Sequence, residues 1–379
     1  MQPIFRPCSF LIPNSDINMT QWAVIACDQH TSEPEYWERV KAIAADSPSA
    51  FNMMISELYF KDADIHERIG AVKQTMRDYR SSGVFRDLPE SYIYVERTLF
   101  SGKVRKGIVG VLDLEQYDFS GGSGAPITGT EDIIPERLPL RVELRDSAPI
   151  DMPHVLAVTD LSFTVPEDNL RELLYDFELM EGGGSIKGWR IDSDCPAVPA
   201  PTRLLIGDGN HSVASAKIFW EKIKISLTDA ERELHPCRFA MAELVSIRDP
   251  AIEFEPINRV VFDCVPEAMI EDIRANLRGE YTVCYAYEDH VGLINVPSLK
   301  ALQVYLDRSC APGTIDYIHG DDVAVRLARP PKRLAFIMAA LDKDGFFENI
   351  RRFGSLPRKA FSMGGARDKR YYLECRTLL

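Results

Sequence analysis

The residues best placed to do chemistry in this sequence stand in one run, Gly207-Asp208-Gly209-Asn210-His211-Ser212, directly after the apolar Leu204-Leu205-Ile206 and ahead of a helical segment from Val213 to Lys224. Two glycines let the backbone take positive φ and come close to a ligand. The first amides of the following helix, from about Asn210 to Val213, have no acceptor within the helix, and together with its dipole they favour an anion. Gly207, Gly209, Asn210 and Ser212 are therefore read as phosphate-binding positions. His211 is read as a donor to phosphate or a proton carrier, and Asp208 as a ligand for a divalent metal or the group that orients His211. No Gly-Lys-Ser/Thr follows, as a Walker loop requires, and the glycine spacing is not that of a dinucleotide fingerprint. In the plainer alternative Asp208 is a turn residue, Asn210 or Ser212 an N-cap, and His211 the partner of a backbone carbonyl.

Other candidates are spread along the chain. Glu131 sits in the polar segment Thr128–Asp132, after the glycine-rich stretch 119–126, as a general base or metal carboxylate would, and a solvated loop carboxylate is the alternative. Arg137, Arg141 and Arg259 carry guanidinium groups suited to clamping phosphate, and are equally suited to structural ion pairs. Asp28-Gln29-His30 places a carboxylate near an imidazole just before a helix, and in an extended chain Asp28 and His30 share a face. His319-Gly320-Asp321-Asp322 reads as a helix start with favourable acidic residues. His66 and His154 have no partner at ligand spacing and read as structural. No Gly-x-Ser-x-Gly elbow joins a strand to a helix, which disfavours a catalytic-triad hydrolase.

These residues need elements to hold them. Ser32 and Glu35 have capping-box spacing ahead of a helix through Ala44, and a second helix is expected over 65–79 with Gly83 beyond its end. Strands are expected over 91–100 and 107–114, pairing as a hairpin, and over 155–160, 203–206, 238–247, 253–262, 281–287 and 334–340. Further helices are expected over 169–180, 267–277, 298–307 and 346–352. The alternation implies an α/β or α+β fold, a mixed sheet with flanking helices. With 379 residues the chain suits two or three subdomains, drawn here as 1–150, 151–265 carrying the glycine loop, and 266–379.

Composition narrows the function classes. A net charge of -13 opposes attraction to a phosphodiester backbone, so no binding to duplex DNA is expected. No apolar run approaches the roughly 18 residues of a membrane span. Eight cysteines without a C-x-x-C pair argue against a zinc knuckle or disulfide framework and for a soluble, cytoplasmic protein.

Over essentially its whole length the chain resembles the bacterial and archaeal family known as domain of unknown function 1015. The resemblance rests on Gly207 to Ser212, on Thr130-Glu131 with Ile134-Pro135-Glu136-Arg137-Leu138, on Glu255 to Val261, and on Phe361 to Ala366 with Lys369 to Glu374. The glycine loop is also similar to the Asp-Gly-His-His-Arg and Gly-Cys-His-Arg loops of the ParB and sulfiredoxin superfamily, which hold nucleotide phosphates and include those of a free-serine kinase. That resemblance implies a ParB/sulfiredoxin-like core with elaborations. It also implies Mg²⁺ with ATP or ADP as cofactors, a small-molecule substrate, and Asp208, Asn210 and His211 as phosphate and metal residues. Ser212 stands where those loops have arginine, and Asn258 and Gly365 where relatives have histidine. The sulfiredoxin cysteine is absent from the loop, which argues against sulfinic-acid reduction. Two functions are expected: a Mg-dependent small-molecule phosphotransferase, or a nucleotide-binding switch or adaptor without turnover.

Overall fold

A computed structural model describes residues 3–31, 33–44, 47–119, 124–311 and 313–378. The chain forms two compact units, Met1–Ile252 with Gly364–Leu379, and Glu253–Met363.

The first unit is built on an eleven-stranded mixed sheet. Its order runs Glu172–Glu178, Ser185–Asp192, Phe85–Thr98, Val104–Asp113, Phe239–Ser246, Leu156–Thr159, Leu204–Asp208, Ile127–Gly129, Tyr117–Asp118, with Phe5–Arg6 paired to Val104–Asp113 and Cys8–Pro13 to Phe85–Thr98 off this path. The half formed by the long hairpin is antiparallel, with Thr98 opposite Val104, whereas Leu204–Asp208 runs parallel to Ile127–Gly129. Central strands are buried on both faces, as Ile93, Tyr94 and Val95 show, so they read as continuous apolar runs rather than alternation. Helices Pro34–Ala44, Ile65–Ser81, Leu138–Arg145 and Asn210–Lys224 complete the unit. Its core is filled by Trp22, Trp37 and Trp220, all essentially inaccessible.

The mixed α/β expectation holds, and two expectations need correction. The segment expected as a helix over 169–180 is instead the edge strand Glu172–Glu178, hairpinned with Ser185–Asp192. Leu170, Leu174 and Phe177 have helical spacing, but pairing to the sheet and burial of Tyr175 prevail, with Leu173 left half exposed. The boundary drawn at 150 falls inside one sheet, because strands on either side of it pair: Val104–Asp113 with Phe239–Ser246. The last residues return to the same unit, Tyr371–Tyr372 pairing with Val24–Ile25 and Arg376–Thr377 with Ile150–Asp151. Ser32 of the expected capping box and residues 120–123 of the glycine-rich loop lie outside the described residues.

The second unit is a six-stranded antiparallel sheet with helices Pro266–Asn276, Leu299–Ser309 and Asp321–Ala328. Gly320 caps the last of these with φ near 84°, so His319-Gly320-Asp321-Asp322 is a helix start. Among the described residues no helix is long and apolar enough to cross a membrane.

Candidate functional site

The glycine loop is built by two backbone devices. The register of Leu204–Asp208 against Leu156–Thr159 slips between Ile206, opposite Ala157, and Asp208, opposite Leu156, which makes Gly207 a bulge that re-aims Asp208. Gly209 then caps the helix Asn210–Lys224 with φ near 79°, and a Cβ there would lie 3.1 Å from the Val155 Cα. Position 209 therefore requires glycine for both conformation and space. Gly209→Ala is expected to lower stability by about 1–3 kcal/mol, read as a lower denaturation midpoint. An unchanged midpoint would show that the helix start relaxes freely.

The loop's side chains are divided between holding the fold and facing the helix start. Asn210 is nearly buried: its Oδ1 accepts from the Thr130 amide at 3.1 Å, and Thr130 Oγ1 donates to the Ile206 carbonyl at 2.7 Å. His211 Nε2 accepts from the Ile134 amide at 3.0 Å, which places the ring proton on Nδ1. Asn210 and His211 thus fasten the 130–134 loop to the helix. Glu131 lies on that loop, half-buried and engaged by the protein. Asn210 Oδ1 and His211 Nε2 are therefore already engaged within the protein.

Two cations converge on the helix start. Arg141 Nη1 reaches the Ser212 hydroxyl at 3.4 Å, so a guanidinium from the helix Leu138–Arg145 stands beside the position where the loop itself lacks arginine. Arg141 is also paired with buried Glu57, which Arg137 reaches from the solvent side at 3.3 Å. On the other flank, Lys369 Nζ lies 3.5 Å from Asp208, with both side chains largely buried. Lys369 belongs to the C-terminal segment and was not singled out from the sequence as a site residue.

Arg259 is placed otherwise. It belongs to the second unit, is fully buried, donates from Nε to Gln303 and from Nη1 to the Ile257 carbonyl, and lies against the Tyr317 ring. The structure gives it a packing role there in place of the expected phosphate clamp. Asn258 bridges Asp321 and the Met338 amide in the same unit.

A second cluster adjoins the helix start. His154, 1% exposed, has its Nε2 3.8 Å from Asp28 Oδ1 and packs edge-on against the Tyr372 ring. Burial lowers the proton affinity of His154, partly opposed by Asp28 and Asp208. Burial by itself would raise the Asp28 pKa, but His154, Arg141, the Gln29 amide and Lys369 outweigh it, and its carboxyl is held well below the usual range. Cys27, beside them, is pushed up to about 11 by burial. Asp28 thus faces His154, which corrects the pairing of Asp28 with His30. The His30 ring stacks on Tyr36 and its Nδ1 meets Glu33 at 2.9 Å.

The described residues do not form an all-protein cage for a divalent metal. Among the described residues no group of three or more His, Cys, Asp or Glu gathers for a metal, and Asp208 already faces an ammonium group. Asp208 is the single carboxylate of the loop, and in this structure its partner is the Lys369 ammonium group.

Comparison with known proteins places this geometry in context. The model of a family described as protein of unknown function (DUF1015) matches residues 10–375. No curated protein matches the sequence. Among solved structures, free serine kinase in complex with AMP is similar at a TM-score of 0.42 and 12% identity, covering 73% of this chain and 93% of that one. SbnI with C-terminal truncation, from Staphylococcus aureus, is similar at 0.39 and 10%, covering 68% and 83%. A conserved hypothetical protein from Pyrococcus furiosus is similar at 0.38 and 11%, covering 73% and 97%.

Proposed function

The chain belongs to the DUF1015 family, and we propose that this member binds the phosphate groups of a nucleotide, ATP or ADP, at the start of the helix Asn210–Lys224 and transfers a phosphoryl group to a small molecule. The observation that carries this reading is the convergence of Arg141 and Lys369 on Ser212 and Asp208, at the two flanks of one helix start. Helix amides and a dipole attract an anion, and two largely buried cations add charge that water screens weakly. Phosphoryl transfer depends mainly on positioning and neutralising charge, which this arrangement supplies from the chain's own residues. The likeness of the glycine loop to nucleotide-phosphate loops supports the same assignment.

Titration calorimetry of the full chain with ADP tests it. Saturable binding is expected, weakening as salt rises, together with a higher melting temperature because the ligand binds only the native state. At a ligand concentration 100 times Kd the native state gains about 2.7 kcal/mol. No heat and no thermal shift with AMP, ADP or ATP would overturn the reading.

A further inference from the structure

In the second unit the strands Tyr281–Tyr287 and His290–Val296 form a hairpin, and His290–Val296 is an edge of the sheet. The two-residue turn Glu288-Asp289 closes on the pair Tyr287 and His290. Such a turn makes its closing pair a hydrogen-bonded one, and bonded and non-bonded pairs alternate along the ladder. Val291, Leu293 and Asn295 therefore turn their N–H and C=O groups away from the hairpin. The Leu293 carbonyl bears this out, for the Arg274 guanidinium meets it from outside the ladder at 3.4 Å.

Side chains alternate along the same strand. Ile294 and Val296 are buried, with the helices Pro266–Asn276 and Leu299–Ser309 against the strand, whereas Val291 and Leu293 on the opposite face are 71% and 62% exposed. An open strand edge is a template for further pairing, and folded proteins usually place charge or proline on it. This chain does so elsewhere. Glu172–Glu178 and Ile315–His319, which also end their sheets, carry Glu172, Asp176 and Asp316. From Val291 to Val296 there is neither charge nor proline.

We infer that this edge pairs with the same strand of a second copy of the chain, antiparallel, about a two-fold axis at Gly292. The strand's chemistry is symmetric about that residue. Gly292 meets the partner's Gly292, Val291 the partner's Leu293, and Leu293 the partner's Val291, so the four exposed apolar side chains gather on one face. Val291 and Leu293 both bond outward, and each of these two pairs exchanges two N–H···O bonds. The Leu293 carbonyl keeps a lone pair for this beside its contact with Arg274. Farther out, Asp289 stands opposite the partner's Asn295. The Asn295 Oδ1 accepts from Thr282 at 2.9 Å, which leaves the amide N–H groups to donate to that carboxylate. A slip of two residues either way sets Val291 against Asn295 or Leu293 against Asp289 and loses the apolar pairs. This preference for one register selects a second copy over an extended segment of arbitrary sequence. Position 292 has to stay bare, since a Cβ there would lie 2.4 Å from the Tyr285 hydroxyl. The inference does not depend on the phosphate site, which belongs to the other unit.

Sedimentation velocity of the full chain over a wide range of concentration tests it. A monomer is expected to pass into a species of twice its mass as concentration rises. Association should be at least tenfold weaker in Leu293→Lys, which sets two ammonium groups near each other at the axis. Leu293 is exposed, so at a concentration where both are monomers the variant's melting curve should match that of the wild type. Hydrogen exchange locates the contact: the outward amides of Val291 and Leu293 should slow as concentration rises, while that of Ile294, already bonded within the hairpin, should keep its rate. A peptide of residues 288–296 in excess should split the dimer. A monomer at every concentration would overturn the inference, and so would a dimer that Leu293→Lys leaves intact. Splitting to the same extent by an alternating Val-Thr peptide of equal length would overturn the choice of a second copy in favour of any extended segment.

Discussion

Glu243→Gln is expected to destabilise the chain by about 3–5 kcal/mol, the cost of breaking a buried ion pair and leaving its partner charged. Glu243 is 1% exposed and lies between two guanidinium groups: Arg105 Nε is 3.2 Å from its Oε1, and Arg370 Nη1 donates to its Oε2. Arg370 also pairs with buried Glu374, which accepts from Tyr175. The strand beside it leaves room for the carboxylate, since a Cβ on Gly107 would lie 2.5 Å from Glu243 Oε1. With glutamine in place, one carboxylate remains for two inaccessible arginines. Burial alone would raise the Glu243 pKa, but Arg105 and Arg370 outweigh it and hold it below its ordinary value. A depressed folded pKa means that this stabilisation is present above the unfolded value, about 4.3, and is lost as pH falls through the folded one. Urea denaturation of wild type and variant at neutral pH and again below pH 4 checks both points. The gap in midpoint should be wide at neutral pH and should narrow in acid, and equal midpoints at neutral pH would refute the network's importance.

That network also explains what the sequence could not disclose. Pattern and spacing are local, so Leu204–Asp208, the glycine bend and the helix behind it are legible from consecutive residues. Lys369 is not. Its motif is visible as a run of charged and aromatic residues, but its meeting with Asp208 depends on Arg97 and Arg105. Arg97 donates to the carbonyls of Arg367 and Lys369, and Arg105 to that of Asp368. Asp28 and His30 are near in sequence, whereas the fold turns Asp28 toward His154, in the segment between the strands Ile150–Asp151 and Leu156–Thr159. The edge strand Glu172–Glu178 is hidden in the sequence for a related reason. Its apolar residues satisfy either period, and only its partner Ser185–Asp192 decides between them.

Lys369→Met is expected to weaken ADP binding by one to two decades while Asp208→Asn leaves it unchanged or tighter. Lys369 Nζ, 3.5 Å from Asp208 and largely buried, is the cation on the strand side of the helix start. A hydrogen bond to a charged group contributes about 1.5–3 kcal/mol, which is about one to two factors of ten in Kd. Methionine keeps most of the apolar stem, so the packing of this segment should persist and a melting curve should confirm it. Asp208 is the discriminating residue. Were it a metal ligand, its neutralisation would remove a contact the nucleotide needs, and affinity would fall with that of Lys369→Met. In the ion pair observed, Asp208 instead competes with phosphate for the ammonium group and repels the incoming anion, so Asp208→Asn should favour binding. Calorimetry of both variants with ADP, at low and at physiological ionic strength, separates the two accounts. Undiminished affinity in Lys369→Met together with lost affinity in Asp208→Asn would restore the metal-ligand reading and remove the convergence of cations as the basis of the phosphate site.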